Sequence, residues 1–218
     1  MRDGRVRVNG RIVRDPEFPV RHGVDTVSLD EQNAAPPARF VIMLNKPRGL
    51  LTTARDERGR PTVYQCLAGA GLPWLAPVGR LDKASEGLLL FSNDPAWAAR
   101  ITDPATGPVK TYHVQINRIA DDALLKSLTH GIDCDGEFLS ARTVATLRVG
   151  ERNAWLEIVL AEGRNRQIRR LLAALDIVVI RLVRVAVGSL HLGDLPKGRW
   201  RVVAKQEIAD LDSSQTRT

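Results

Sequence analysis

The chain alternates short apolar runs with polar, glycine- and proline-rich turns, and few stretches have a helical period. Residues 40–44, Phe-Val-Ile-Met-Leu, are an unbroken apolar run. They predict a buried strand that delivers Asn45-Lys46-Pro47 and a turn at Gly49. Further strands are expected at 88–91, 111–116, 142–149 and 154–161, and near 181–187 and 199–203. Asp94-Pro95 supplies an N-cap and a first helical residue for a helix through Ile101. Residues 121–128 read as a short helix with an acidic start, 166–175 as another, and 63–67 as the opening of a third. A polar loop fills 53–61. Many strands with few, unevenly spaced helices predict an α+β fold rather than a regular βαβ repeat.

The first 33 residues look like a fragment. Val6, Val8, Ile12 and Val13 flank Asn9-Gly10, a dipeptide suited to a tight hairpin, and another short run, 26–29, follows a turn at Gly23. This apolar content is too small for an independent core. Residues 34–38, opening Ala-Ala-Pro-Pro, are the expected linker to a main domain at 39–204. Residues 205–218 are expected to be a polar tail, frayed from Asp210 onward.

Charge sharpens the picture. Of the formal +7, residues 34–111 hold ten Lys and Arg against six Asp and Glu, and residues 155–205 hold ten against four. Residues 112–154 are net −1, 1–33 balance, and 206–218 are net −2. Positive charge therefore gathers in the two segments with the most unusual motifs, as expected if both line one polyanion-binding face. Cys66 and Cys134 are far apart without ligand spacing and are expected to be reduced. No apolar segment approaches the roughly 20 residues that cross a bilayer, and the start Met-Arg-Asp-Gly-Arg lacks the apolar stretch of a secretory signal. A cytoplasmic protein with no membrane contact is expected.

Two segments carry candidate chemistry. Residues 79–90 read Gly-Arg-Leu-Asp-Lys-Ala-Ser-Glu-Gly-Leu-Leu-Leu, with Asp82 flanked by Arg80 and Lys83 ahead of a turn and a buried run. A fixed carboxylate there can attack an electrophilic carbon or stabilise developing positive charge; the plainer alternative is a turn-capping aspartate. Residues 162–170, Glu-Gly-Arg-Asn-Arg-Gln-Ile-Arg-Arg, crowd Arg164, Arg166, Arg169 and Arg170 around a helix start, with Gly163 allowing a sharp turn into it. Four arginines so close repel unless anions face them. One is expected to pair with Asp82 and the others to hold an RNA backbone, helped by the free N–H groups of the helix start. Arg181 and Arg184 continue this basic rim, and Leu182 is expected as an apolar wall under a flipped base. Tyr112 lies on the strand after Lys110-Thr111, where its ring can stack on a base, while His113 faces the other side of that strand. The sequence has neither Gly-x-Gly-x-x-Gly nor Gly-x-x-x-x-Gly-Lys-Ser/Thr, so nothing points to a dinucleotide or nucleoside triphosphate.

These segments closely resemble the RsuA/RluB/RluE/RluF family of bacterial ribosomal RNA pseudouridine synthases. The matching pieces are Leu-Asn-Lys-Pro-Arg-Gly at 44–49, the 79–90 and 162–170 motifs, Lys110-Thr111-Tyr112, Arg-Leu-Val-Arg-Val-Ala-Val-Gly at 181–188 and Leu-Pro-Lys-Gly-Arg-Trp at 195–200. The resemblance implies a mixed, largely antiparallel sheet in two halves with a cleft between them. It also implies isomerisation of uridine to pseudouridine without cofactor or metal. Asp82 would be the essential aspartate, Tyr112 the tyrosine beside the base, Arg169 the arginine salt-bridged to Asp82, and Leu182 a packing residue of the pocket. Arg80 would assist base flipping, and Lys46, Lys83, Arg164, Arg166, Arg170 and Arg184 would contact RNA. Family members commonly carry an S4 RNA-binding domain. Residues 4–13 resemble its later, strand-forming portion without the preceding two helices, as a remnant or from a start assigned too late.

The expected partner is ribosomal RNA, of the large subunit (23S) in preference to the small (16S), engaged by a monomer. The competing readings are a non-catalytic RNA-binding or ribosome-assembly protein and a phosphoester hydrolase. The hydrolase would need a metal cluster or a phosphate loop, and histidines 22, 113, 130 and 191 show no ligand spacing.

Overall fold

A computed structural model of the chain describes residues 1–21, 23–30, 32–33 and 38–213. The chain divides into two units, 1–38 and 39–218. In the first, β1 (Val6–Val8), β2 (Arg11–Ile12), β3 (Val27–Leu29) and β4 (Gln32–Asn33) form a sheet in the order β2-β1-β3-β4. The β1–β2 turn is the expected hairpin: Asn9 (φ 50°) and Gly10 (φ 79°) both take the left-handed backbone that such a turn requires. Val8 and Val13 are the buried hydrophobic side chains among its described residues, while Ile12, Phe18, Val20, Val24 and Leu29 are exposed. Burial this slight accords with the small core expected there. Residues 34–37 of the expected linker lie outside the described residues.

The second unit is built on a nine-stranded sheet. Its strands begin with β5 (Val41–Lys46), β6 (Ala76–Val78), β7 (Glu86–Ser92) and β8 (Lys110–Ile116). A small hairpin of β9 (Ile132–Cys134) and β10 (Glu137–Leu139) stands apart from it. β11 (Thr143–Val149), β12 (Ala154–Leu160), β13 (Val179–Val187), β14 (Leu190–His191) and β15 (Trp200–Val202) complete the sheet. The order is β11-β12-β8-β13-β7-β5-β15, with β14 on β13 and β6 on β7. The pairings are antiparallel except β13 with β7, which meet in parallel through Val183–Glu86 and Arg184–Gly87. That short parallel contact is the seam between two halves. The architecture is α+β, mixed and largely antiparallel.

The halves bury their strands differently. β8 and β12 alternate buried and half-exposed residues, so one face is covered. Every residue of β5 and β7 is buried. Ile42, Leu44, Leu89 and Phe91 enter one core and Val41, Met43, Leu88 and Leu90 the other, which explains why the 40–44 run has no polar alternation. Helix α1 (Pro95–Thr102) is capped as expected, Asp94 accepting from Trp97 N at 2.9 Å. Helix α2 (Asp122–His130) is capped by Asp121, and α3 (Gln167–Ala173) contributes Ile168, Leu171 and Leu172 to the first core. The 63–67 segment is a short 3₁₀ helix.

The polar tail expected at 205–218 needs correction. Residues Lys205–Ser213 form helix α4, whose Leu211 is fully buried in the second core and whose Asp212 accepts from Trp97 Nε1 at 2.8 Å. Its few apolar residues, Ile208 and Leu211, join the core that holds Val41 and Met43 of β5. Residues 214–218 lie outside the described residues.

Candidate active site

Asp82 sits in the loop that leads into β7 at the seam, and five consecutive carbonyls of this loop are hydrogen-bonded. Leu81 O accepts from Thr52 Oγ1 (2.7 Å). Asp82 O accepts from Lys46 Nζ (3.1 Å) and from Ser85 N–H (3.0 Å). Lys83 O accepts from Gly49 N–H (2.7 Å), Ala84 O from Arg169 Nη2 (3.3 Å), and Ser85 O from Lys46 Nζ (2.9 Å). The Leu-Asn-Lys-Pro-Arg-Gly segment therefore acts on Asp82 through the backbone. A buried carbonyl left unpaired costs about 1–3 kcal/mol, so this bonding fixes the loop firmly.

Lys46 departs from its expected role. It is fully buried, with its third bond to Pro47 O (3.2 Å), so it positions the loop and cannot grip an RNA backbone. Burial pushes its ammonium down to about 8, against the raising effect of Asp82 and Glu86. Its position at the end of a wholly apolar run was the available signal: a lysine there must satisfy its donors internally.

At the seam, Gly87 (φ 101°) lets the backbones of β7 and β13 meet. A Cβ there would lie 2.2 Å from Arg184 O. Next to it, buried Glu86 accepts from Arg181 Nε (2.8 Å) and Nη2 (3.1 Å) and pairs with Lys197. Burial pushes the Glu86 carboxyl up, but these two cations outweigh it and leave it below its ordinary value. Arg181 is thus committed to Glu86 and not free to act as an open basic rim.

Asp82, Tyr112, Leu182, Arg166 and Arg169 line one cavity of about 100 Å³. Tyr112 and Leu182 come from adjacent strands β8 and β13, and both are buried. His113 faces the opposite side, 3.4 Å from Glu157. Ser85 Oγ and Arg169 Nε are buried without a hydrogen-bond partner among the described residues, so the cavity presents unspent polar atoms beside Asp82. A second, wider opening of about 580 Å³ joins Asp82, Arg80 and Lys83 to the polar loop through Arg55, Arg58 and Arg60. Arg80 and Lys83 are exposed.

The arginine segment divides its work more unevenly than expected. The ion pair to Asp82 comes from Arg166, Nη1 to Oδ2 at 3.6 Å, rather than from Arg169. Arg169 lies close enough for the Asp82 charge to act on it, but burial, followed by repulsion from Arg166, lowers its pKa. The sharp turn falls on Arg166 (φ 50°, the N-cap of α3), not on Gly163. Arg170 is taken by Glu137 (2.5 Å) and Cys134 O (2.7 Å), and Arg164 by Glu137 (2.8 Å) and Glu162 (2.9 Å). Arg170 is thus a structural link rather than an RNA contact, and Arg164 is shared between two carboxylates. Arg184 is buried and donates from Nε to Leu88 O at 2.7 Å, so it is no part of an open basic rim. Glu137, which absorbs two of the four cations, went unnoticed in the sequence because it lies in a hairpin 27 and 33 residues away from them.

A carboxylate in a fixed loop, a buried aromatic ring beside it, an apolar wall and a basic approach suit an extruded base and its sugar. The comparisons agree. The RNA pseudouridylate synthase family matches residues 40–174, and the S4 domain matches residues 1–25. This chain belongs to the RNA pseudouridylate synthase family. It is 36% identical to an RNA pseudouridine synthase of Aquifex aeolicus, over 96% of this chain and 84% of that protein. It is 34% identical to ribosomal large subunit pseudouridine synthase B of Escherichia coli strain K12, over 98% of this chain and 72% of that one. A crystal structure of a pseudouridylate synthase matches with a TM-score of 0.70 and 29% identity, covering 96% of this chain and 90% of that one.

Proposed function

We propose that the chain isomerises a uridine of ribosomal RNA to pseudouridine, with Asp82 as the reacting carboxylate and 23S rRNA as the target. The observation that carries this reading is the Asp82 loop: five bonded carbonyls hold one carboxylate at the mouth of a cavity with Tyr112 and Leu182. The large-subunit assignment draws on what the Escherichia coli relative acts on.

In the reaction the N1–C1′ bond breaks, the base turns, and a C5–C1′ bond forms. C5 loses its proton and N1 gains one, so the product is an isomer and no electrons are exchanged. Two routes begin at Asp82: direct attack of the carboxylate on C1′, or removal of a ribose proton to give a glycal. In both, the extruded ring lies against Tyr112 and Leu182, Arg166 and Arg169 orient the carboxylate, and Arg80 at the mouth assists extrusion. Flipping costs a few kcal/mol, least in a loop or disrupted helix, so an unpaired uridine is the expected target.

The test is pseudouridine mapping by carbodiimide modification in cells lacking the gene, together with purified protein added separately to 23S and 16S transcripts. Loss of one 23S pseudouridine, restored by the gene, supports the reading. Modification of 16S alone overturns the target, and an unchanged ribosomal pseudouridine set with no product on either transcript overturns the activity on ribosomal RNA.

A further inference from the structure

Tyr112 also lines a third cavity, of about 130 Å³, that the reaction as described does not use. It shares Arg80, Tyr112 and Gly163 with the Asp82 cavity, so the two adjoin. Lys110 and Arg184 are among its lining residues. Each is less than a tenth exposed: Lys110 8% and Arg184 7%. They reach it from adjacent strands, where Arg184 is registered opposite Tyr112 and Val187 opposite Lys110.

The charges there do not balance. No carboxylate lines this cavity. Arg184 spends Nε on Leu88 O, and the Lys110 ammonium makes no hydrogen bond or ion pair among the described residues. Burial, and after it repulsion from Arg184, bring the Lys110 ammonium down to about 8. The one opposing carboxylate is Asp103, which already accepts from the N–H groups of Ala105 and Thr106 at 2.8 Å each. Two buried cations facing an open cavity are costly when empty, and an anion held between them relieves both their repulsion and their lost hydration. The space is far larger than the roughly 10–15 Å³ a single water needs.

We infer that Lys110 and Arg184 form a phosphate subsite that holds an RNA phosphodiester next to the uridine extruded against Tyr112. The assignment of the phosphate to RNA rests on the proposed isomerase activity; the anion site itself does not. A phosphate held there lets the strand pass with its backbone behind the Tyr112 ring while the base enters the Asp82 cavity. Two fixed cations also suit a phosphate oxygen pair better than a neutral group.

The experiment follows the Lys110 side-chain resonance of the full chain by NMR across pH, alone, with inorganic phosphate, and with a short oligouridylate. Both probes are expected to raise the Lys110 pKa, and the oligouridylate to compete with phosphate for the site. Lys110→Met should weaken phosphate binding by roughly tenfold or more, whereas Lys110→Arg should keep most of it. A Lys110 titration unmoved by phosphate overturns the site, whether or not the Lys110→Met protein folds. A shift with phosphate but none with oligouridylate overturns the RNA assignment. A pseudouridine assay of the wild type beside the titration separates the two readings. Phosphate binding that persists without any pseudouridine activity in the wild type leaves the subsite standing and removes the isomerase, while activity without phosphate binding does the reverse.

Discussion

The Asp82 loop and the 162–170 segment look alike in sequence, each a dense polar motif between apolar elements, yet the structure holds them by different means. Around Asp82 the cations and hydroxyls serve the backbone: Lys46, Thr52 and Arg169 spend their donors on carbonyls, leaving the Asp82 side chain 39% exposed to the cleft. In the arginine segment the side chains serve one another's charge balance, with Glu137 and Glu162 engaging Arg164 and Arg170 and only Arg166 turned toward Asp82. Backbone bonding fixes where a group is; shared carboxylates decide which cations remain available. A count of arginines measures neither.

The largest effect expected from this contrast belongs to Lys46. Lys46→Met removes a donor from three carbonyls, of which Asp82 O keeps the Ser85 N–H, a loss of about 2 kcal/mol or more. Loosening the loop by even an ångström should reduce single-turnover rate by about 100-fold. Urea denaturation and single-turnover kinetics read the two losses separately. An active, stable variant would show that the loop holds itself without the lysine.

The two arginines nearest Asp82 sharpen the comparison further. Arg169 bonds the loop from a half-buried position, so Arg169→Met should lower kcat by about tenfold or more. Arg166 makes an exposed pair at 3.6 Å, and Arg166→Met should lower it by roughly fivefold at most. The reverse order would make Arg166 the effective partner of the carboxylate.

The same lysine predicts a pH response of unusual sign. With its pKa near 8 instead of 10.5, Lys46 is charged at pH 7 and loses its proton as pH rises through 8. The neutral amine has two N–H groups for three carbonyls, so activity should fall by about tenfold to a lower plateau. Stability should move the other way. Between about 8 and 10.5 the unfolded chain binds a proton that the folded chain has released, so unfolding free energy rises with pH, and Lys110, also near 8, adds to the rise. Kinetics and denaturation over pH 7–10 test both signs, and parallel falls in the two would contradict them. The smallest effect on RNA is expected at Arg170. Arg170→Met should lower the thermal midpoint, because Cys134 O loses this donor and Glu137 one of its two arginines, while affinity for an rRNA fragment stays within about twofold, as for a residue outside the binding surface. A large loss of affinity would return Arg170 to the RNA surface.

Much of this was legible in the chain itself. Apolar runs and Asp94-Pro95 gave strands β5, β7 and β8 and helix α1 close to their observed limits, because burial and capping are local signals. Asp82, Tyr112 and Leu182 were expected together and line one cavity. The misreadings share one cause. Lys46 and Arg170 are cations whose partners, Ser85 O and Glu137, lie 39 and 33 residues away. Helix α4 is not legible locally because its burial rests on Leu211 and Ile208 joining a core with residues of β5 and α1, distant in sequence.

Asp82 carries the proposed chemistry, and Asp82→Asn protein tests that role under single-turnover conditions with a 23S transcript. The substitution keeps size and backbone bonding, since the five carbonyls are held by other residues. The expected result is RNA affinity and thermal midpoint near those of the wild type, with no detectable pseudouridine. Substantial pseudouridine from a verified, folded Asp82→Asn protein would contradict the assignment of the chemistry to this carboxylate.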